Sequence, residues 1–204
     1  MSKITNTGVF IVEGSAAAAD VAGSSQIWVK SDTPSTLYHT DDAGTDHRIN
    51  GTTVSAETAT TSGTTVTLSG IPAGVTRVDV LFEGVSSNGT GEFMLRLGDS
   101  GGIETSGYQS NSSNGDNVDE DTTSLKISYG ISAATSRNGI IHLRLKDATN
   151  NTWISGGILD KRTGTSLISF SSGAKSLSGA LTQIQLLNTA GNTWDAGSLA
   201  LAWS

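Results

Sequence analysis

A serine between glycines is the first position in this sequence whose residue type and spacing are typical of catalysis. Residues 98–102 read Gly-Asp-Ser-Gly-Gly, a pattern found around the nucleophile of serine proteases, with Ser100 at its centre. A serine nucleophile requires a histidine base and a carboxylate that orients the histidine. The upstream histidines, His39 and His47, lie in a segment too short to supply half of such an enzyme. We therefore predict a glycine-rich turn at Ser100 and no catalytic residues.

Clustered carboxylates are the second feature that could support chemistry. Asp116, Asp119, Glu120 and Asp121 form the densest acidic cluster of the chain. Calcium needs several oxygen ligands on one constrained loop, and this run lacks the alternating ligands and central glycine of an EF-hand. Glycoside hydrolysis needs one carboxyl group that burial keeps protonated. Both patterns are missing, so the sequence favours a solvated acidic loop with no metal, no cofactor and no hydrolase activity.

A long polar segment surrounds this acidic cluster and is the best candidate for a binding surface. Residues 98–123 contain Tyr108, Asn111 and Asn114 as well as Asp116. A tyrosine ring can stack on a sugar while asparagine and aspartate fix its hydroxyl groups, and long loops are often functional. We predict receptor contacts at these four residues. An inert surface loop of the same composition remains the alternative.

Composition excludes several functional classes. The chain has 204 residues, a net charge of −7 and no cysteine, so disulfides and thiolate metal sites are excluded. Acidity without a basic cluster disfavours nucleic-acid binding. No apolar run is long enough for membrane insertion, and the amino terminus lacks the apolar core of a signal peptide. With 35% hydrophobic and 15% charged residues, the chain does not have the composition of a disordered protein.

Alternating apolar residues predict the scaffold that positions these groups. Val78, Val80 and Phe82 share one face of a strand, and Ile141, Leu143 and Leu145 share a face of another. The same period recurs at Phe93 with Leu95 and Leu97, Ile168 with Phe170, Ile184 with Leu186, and Leu199 with Leu201 and Trp203. This alternation indicates antiparallel sheets with one buried face each. We predict an all-β chain whose residues 64–204 form a jelly-roll-like β-sandwich, and an α/β enzyme fold is disfavoured.

The first fifty residues predict a different, smaller unit. Residues 26–49 contain three short strands separated by turns at Pro34 and Gly44, and Ser15 is placed to cap a short helix over 16–19. Such a unit has almost no core, so we expect it to pack on a neighbour or on another copy of the chain. Residues 1–50 are therefore assigned to attachment or oligomerisation, and 51–63 to a connector or extended arm.

Two blocks of the sequence carry a family resemblance. The first reads Ala-Ala-Ala-Asp-Val-Ala-Gly at 17–23, Gln-Ile-Trp-Val-Lys at 26–30, Thr-Pro at 33–34, Leu-Tyr at 37–38 and Thr-Asp-Asp-Ala-Gly-Thr-Asp at 40–46. The second reads Ser-Gly-Ile-Pro-Ala-Gly at 69–74 and Leu-Gly-Asp-Ser-Gly-Gly-Ile-Glu-Thr-Ser-Gly-Tyr at 97–108. Both resemble virion proteins of tailed bacteriophages, particularly tail fibre and tail-tip proteins. His39 and His47 depart from that pattern, since an aromatic or apolar residue is expected at each.

The resemblance implies a noncatalytic structural protein of a phage virion, assembled in the cytoplasm of the bacterial host. It implies a homotrimer that contacts other virion proteins and displays its β-sandwich toward a host cell-surface glycan. Trp28, Tyr38 and Trp203 are the candidates for oligomer or virion contacts, because interfaces are rich in aromatic residues. For Trp203, a covered position within one chain is the alternative.

Two other functions remain open at the level of sequence. A head fibre or capsid decoration protein would use the same fold and attach elsewhere on the particle. A bacterial carbohydrate-binding module would carry aromatic platforms and a secretion signal, and here aromatic residues make up only 5% of the chain. The tail fibre or tail-tip assignment is therefore the prediction, with the head protein as its nearest alternative.

Overall fold

The short strands predicted around Trp28 form a four-stranded sheet. The computed structural model describes residues 13–19, 24–31, 36–42, 44–49, 51–129, 133, 135–161 and 167–204. Its contacts divide the chain into two units, Met1–Gly51 and Thr52–Ser204. The first unit contains the strands β1 (Glu13–Gly14), β2 (Gln26–Lys30), β3 (Thr36–Thr40) and β4 (Asp46–Arg48), which lie in the sheet in that order.

Trp28 lies at the centre of this four-stranded sheet. Its ring stacks on Tyr38 of the neighbouring strand, with centroids 5.1 Å apart, and its Nε1 donates a hydrogen bond of 2.9 Å to Thr40 Oγ1. His39 and His47, the departures from the phage pattern, lie opposite each other on β3 and β4, and their rings stack 6.0 Å apart. The two histidines therefore form a polar cross-strand pair on this sheet.

The helix predicted over 16–19 is wrong. Residues 15–19 follow β1 as bends and irregular backbone. The Gln26 side chain donates to Ala18 O and accepts from Ala18 N, so its amide satisfies the backbone of Ala18 in this irregular segment. The predicted turn at Pro34 lies outside the described residues.

The second unit consists of two stacked antiparallel sheets. Its strands are β5 (Thr53–Val54), β6 (Thr58–Ala59), β7 (Val66–Ser69), β8 (Arg77–Ser87), β9 (Phe93–Asp99), β10 (Gly102–Ile103), β11 (Tyr108–Ser113), β12 (Val118–Asp121), β13 (Leu125–Lys126), β14 (Arg137–Asp147), β15 (Thr152–Lys161), β16 (Leu167–Ser176), β17 (Gln183–Asn188) and β18 (Trp194–Trp203). The small sheet has the order β10-β9-β17-β7, with β13 also paired to β9. The large sheet has the order β12-β11-β16-β15-β14-β8-β18-β5, with β6 also paired to β18. The chain crosses between the sheets repeatedly, from β7 to β8 to β9 and from β16 to β17 to β18, so the predicted jelly-roll-like sandwich is confirmed.

The core fills the space between these two sheets. Alternating residues of β8, β14 and β18 supply one side, and alternating residues of β9 and β17 supply the other. Val80, Leu97, Ile141 and Ile184 have no exposed surface. Phe93 and Trp194 meet edge to face at 4.8 Å between ring centroids, at the end of the core where β9 and β18 begin. The period-two pattern therefore identified the buried faces of these strands correctly.

The segment 51–63, predicted as a connector or extended arm, contributes two short strands to the large sheet. Strands β5 and β6 both pair with β18, and Thr60 donates from its hydroxyl to Ala196 O at 2.7 Å. These short pairings cover the exposed edge of β18. No helix within the described residues is long and apolar enough to cross a membrane.

The long loop predicted over 98–123 is wrong, because most of it is sheet. Strand β11 pairs with β16 on one side and β12 on the other. After Tyr108, its residues are serine, asparagine and glutamine, which rarely favour strands, but neighbouring strands on both sides satisfy the backbone. Tertiary pairing therefore overrides local preference in this segment.

Candidate functional site

A line of side chains, apolar except for Ser113, crosses the outer face of the large sheet, which points away from the core. Strand register places these residues opposite one another from strand to strand: Val118, Ser113, Phe170, Ile158, Ile140, Leu81 and Ala200, on β12, β11, β16, β15, β14, β8 and β18. We call this line the apolar row. With strands about 4.8 Å apart, it extends over about 29 Å.

The apolar row is exposed to solvent at its centre. Ile140, Ile158 and Phe170 are 40%, 51% and 50% exposed, and Ile168, two residues from Phe170 on the same strand, is 48% exposed. Single exposed apolar residues are common on protein surfaces, whereas contiguous apolar patches mark interaction sites. Four neighbouring side chains on three adjacent strands form such a patch.

Two depressions lie on either side of Ile140. One, of about 640 Å³, is lined by Ile158, Ile168 and Gly157 among others. The second, of about 520 Å³, lies toward β18 and is lined by Leu81, Ala200 and neighbouring residues. Both are shallow and open, so Ile140 forms a ridge between two apolar hollows.

Charged groups of opposite sign border the two sides of the apolar row. On one side, Arg77 and Arg144 face each other across β8 and β14. Between them and the row, Asp79 accepts hydrogen bonds from Arg77 Nη2 at 2.6 Å and from His142 Nδ1 at 2.8 Å. Burial acts to raise the pKa of Asp79, but the hydrogen bonds from Arg77 and His142 outweigh it and hold the pKa below its ordinary value. The carboxylate is therefore ionised and paired with Arg77, and Arg144 adds a second positive charge beside it. The exposed Glu120 of β12 lies in register with His142 at the far end of this side.

The other side of the apolar row is acidic. Asp160 lies beside Ile168 across β15 and β16, and its carboxylate accepts a hydrogen bond of 2.6 Å from Asn138 N. Glu83 follows Leu81 on the outward side of β8, and Glu57 lies beside Ser198 of the neighbouring strand. Both glutamates are exposed. The face thus has an apolar centre, one acidic border and one basic border.

Tyr108 cannot contact a receptor as predicted, because it is buried. The side chain is 2% exposed and points between the sheets, where its hydroxyl accepts from Leu97 N at 2.8 Å and donates to Glu104 O at 2.9 Å. Burial raises the pKa of Tyr108 to about 12. Tyr108 lies opposite Lys175 in the sheet, on the inward alternation of β11. The tyrosine is therefore part of the core, and this part of the sequence prediction is corrected.

The other three predicted receptor residues lie at the surface. Asn111 points outward from β11, accepts from Ser172 Oγ at 3.0 Å and lines a polar depression of about 280 Å³. Asn114 and Asp116 form the turn between β11 and β12, where Asn114 Oδ1 accepts from Asp116 N at 3.2 Å and from Asn117 N at 3.0 Å. The structure brings these residues to one hairpin without Tyr108, and their receptor contact remains a prediction.

The three aromatic residues predicted as oligomer or virion contacts have different environments. Trp28 is buried in the four-stranded sheet of the first unit, while Tyr38 is half-buried beside it. Trp203 is half-buried and packs against the core of the second unit from the last strand. Trp203 is thus covered mainly by its own chain, which was the alternative for this residue.

The sites that could have been catalytic or metal-binding have structural roles. Residues 98–102 form the turn between β9 and β10, in which Asp99 accepts from Gly101 N at 2.7 Å and from Ser178 Oγ at 2.6 Å. In the described residues, the histidine hydrogen bonds go to Asp41 and Asp79 rather than to Ser100. Three residues of the acidic cluster, Asp119, Glu120 and Asp121, lie on strand β12 rather than in a loop, and Asp116 lies in the turn before it. No group of three or more histidine, aspartate or glutamate side chains within the described ranges could hold a metal ion.

The sequence did not predict the apolar row as a surface, and the alternation at Ile168 and Phe170 was interpreted as a buried face. Ile168 and Phe170 alternate like core residues, but they point outward. The inward residue between them, Ser169, is buried against the fully buried Arg137, whose Nη1 lies 3.2 Å from Ser169 Oγ. Because that large side chain fills the interior, a small residue is required there. The signal that could have found the surface is apolar residues on both faces of one strand, as at Ile140 and Ile141.

Comparisons with known proteins give no relative for this chain. No family model, no curated protein and no solved structure matches it.

Proposed function

We propose that this chain is a noncatalytic structural protein of a tailed-phage virion, a tail fibre or tail-tip component that presents its β-sandwich to the host surface. The apolar row is the observation that carries the proposal. A single copy leaves Ile140, Ile158 and Phe170 in water on a regular sheet, and assembly into a particle would cover them. The residue blocks that resemble virion proteins supply the class of particle.

The first unit would serve attachment to other virion proteins. Its sheet is four short strands wide and has a single buried aromatic residue, Trp28, in the part that the structure describes. Sheets this small are marginal alone. Contact with a neighbouring virion protein, or with the same unit of other copies, would bury the half-exposed Tyr38 and stabilise the unit.

Host contact is proposed at the hairpin between β11 and β12. Asn111, Asn114 and Asp116 offer amide and carboxylate groups on a turn that is fixed by its own hydrogen bonds. Such fixed polar groups suit the hydroxyl groups of a cell-surface glycan. Several copies on one particle would convert weak individual contacts into firm adsorption.

Gold-labelled antibodies on purified particles of the phage that encodes the chain test the proposal. Label at the tail, in a few copies per particle, is the expected result. Label distributed over the head would instead identify a head fibre or capsid decoration protein. Particles that neither bind the antibody nor yield peptides of this chain would reject a virion role altogether.

Adsorption tests the host contact separately. Purified full-length chain should compete with phage for host cells, and the double variant Asn114→Ala/Asp116→Ala should compete less well. Thr67→Ala is the matched control, since Thr67 lies on the outer face of the small sheet, on β7. Equal competition by the double variant and the control would remove this hairpin from the host contact.

A further inference from the structure

The outer face of the large sheet has the features of a self-complementary contact. A ridge at Ile140 lies between two apolar hollows on either side. A rotation about an axis parallel to the apolar row leaves positions along the row unchanged, so Ile140 of one copy meets Ile140 of the next and the exposed apolar centres pack together. Apart from Ser113 and Phe170, the side chains of the apolar row are aliphatic, so the row favours an apolar contact over sugar hydroxyl groups.

The borders of the apolar row determine which orientation of two copies is favourable. Glu57, Glu83 and Asp160 lie on one side. Arg77 and Arg144 lie on the other, where Asp79 is paired with Arg77. Rotation about an axis parallel to the apolar row places the acidic border of one copy against the basic border of the next. Rotation about an axis along the strands would place like charges together, which is unfavourable.

We propose that copies of this chain contact one another through the apolar row, around a symmetry axis that runs parallel to it. The apolar centres of the copies meet at the axis, and each acidic border faces the basic border of the next copy. Cyclic assemblies of two or three copies satisfy this arrangement equally. The choice of a trimer over a dimer rests on the proposed function, whereas the contact between copies does not depend on that function.

Native mass spectrometry and light scattering on the purified full-length chain test the contact. We expect a trimer at micromolar concentration that dissociates on dilution. Ile158→Asp places a charge at the centre of the row and should raise the concentration of half-assembly at least about thirtyfold, as expected for a hot-spot residue. Thr67→Asp on the opposite sheet is the control, and it should assemble like the natural chain. Circular dichroism and thermal unfolding establish that each variant is folded.

The charged borders have a test of their own. Glu83→Lys should weaken assembly about two- to fivefold, as expected for an exposed ion pair, and added salt should narrow that difference. A natural chain that stays monomeric would overturn the inference and assign the face to a different partner. Assembly that is unchanged in Ile158→Asp, or unchanged in Glu83→Lys at low salt, would also overturn it. None of these outcomes affects whether the chain is found on particles, so failure of the contact and failure of the virion role are distinguishable.

Discussion

Lys126 Nζ lies 2.7 Å from Glu92 Oε2, and the same ammonium group donates a hydrogen bond to Asp119. Lys126 belongs to β13 of the small sheet and Asp119 to β12 of the large sheet, so the ammonium group joins the two layers at one edge of the sandwich. The lysine side chain is only 6% exposed. Burial alone would lower the pKa of Lys126, but the hydrogen bonds to Asp119 and Glu92 outweigh it and raise the pKa.

Replacing this lysine should destabilise the fold. Lys126→Met leaves Glu92 and Asp119 close together without a cation, and removing one partner of a buried pair costs about 3–5 kcal/mol. Because Asp119 is about half exposed, water compensates part of the loss, and we expect about 2–3 kcal/mol in urea unfolding. Lys146→Met is the matched control, since Lys146 is exposed on β14. Equal unfolding free energies for the two variants would contradict a stabilising role for Lys126.

Acid should destabilise the protein through its paired carboxylates. Burial acts to raise the pKa of Glu104, but hydrogen bonds from Lys175 and Ser178 outweigh it and leave the pKa below its ordinary value. The hydrogen bond from Lys126 lowers the pKa of Asp119. A carboxyl group whose pKa is lowered by folding contributes stability that is present above its unfolded pKa, about 4, and is lost as the pH falls through the folded value.

Urea midpoints measured from about pH 7 down to about pH 3 should therefore fall steeply below about pH 4. Glu104→Gln should be less stable at neutral pH and should show a shallower fall in acid. Asp116→Asn at the exposed hairpin turn serves as the control and should follow the natural chain. If the urea midpoint of Glu104→Gln falls with pH as steeply as that of the natural chain, Glu104 does not contribute to the loss of stability in acid.

Tyr108 should cause a loss of stability in alkali. Its folded pKa is about 12, whereas an unfolded tyrosine titrates near 10. The folded state keeps its proton between these values and the unfolded state does not, so stability should fall as the pH rises from about 10 to about 12. Tyr108→Phe removes this titration and should flatten the alkaline slope while costing about 1–3 kcal/mol at neutral pH for the lost buried hydrogen bonds. Phenolate absorbance during a pH titration should show one tyrosine fewer titrating late in the variant.

Tyr108 also shows how far the sequence alone predicts the site. Its polar neighbours in sequence suggested an exposed loop, but the pairing of β11 with β16 is a long-range contact that local composition does not report. The alternation at Val78, Val80 and Phe82 predicted a core strand correctly, because these residues fill the interior directly. Phe170 shows the same alternation and points outward, because Arg137 beneath it leaves room only for a serine. Periodicity therefore identifies strands, whereas the choice of buried face depends on side chains distant in sequence.

Gly197, on β18, should tolerate substitution less well than Gly191, which lies in the connection before that strand. The φ of Gly197 is 90°, and a Cβ there would lie 2.4 Å from the backbone carbon of Gly84, at an irregularity in the pairing of β18 with β8. Gly191 also has a positive φ, 64°, but a Cβ there would meet no atom within 4 Å. Gly191→Ala should therefore cost only the backbone strain of about 1–2 kcal/mol.

In Gly197→Ala the new methyl group must also displace one strand, so the total loss of stability should be at least about 3 kcal/mol. For a domain of this size, each kcal/mol lowers the melting temperature by about 2–4 °C. Thermal unfolding of the two variants side by side should therefore separate them by several degrees, with Gly197→Ala the lower. If both melt at the same temperature, β8 and β18 can separate there at no cost, and the close approach of Gly84 and Gly197 does not limit the sheet.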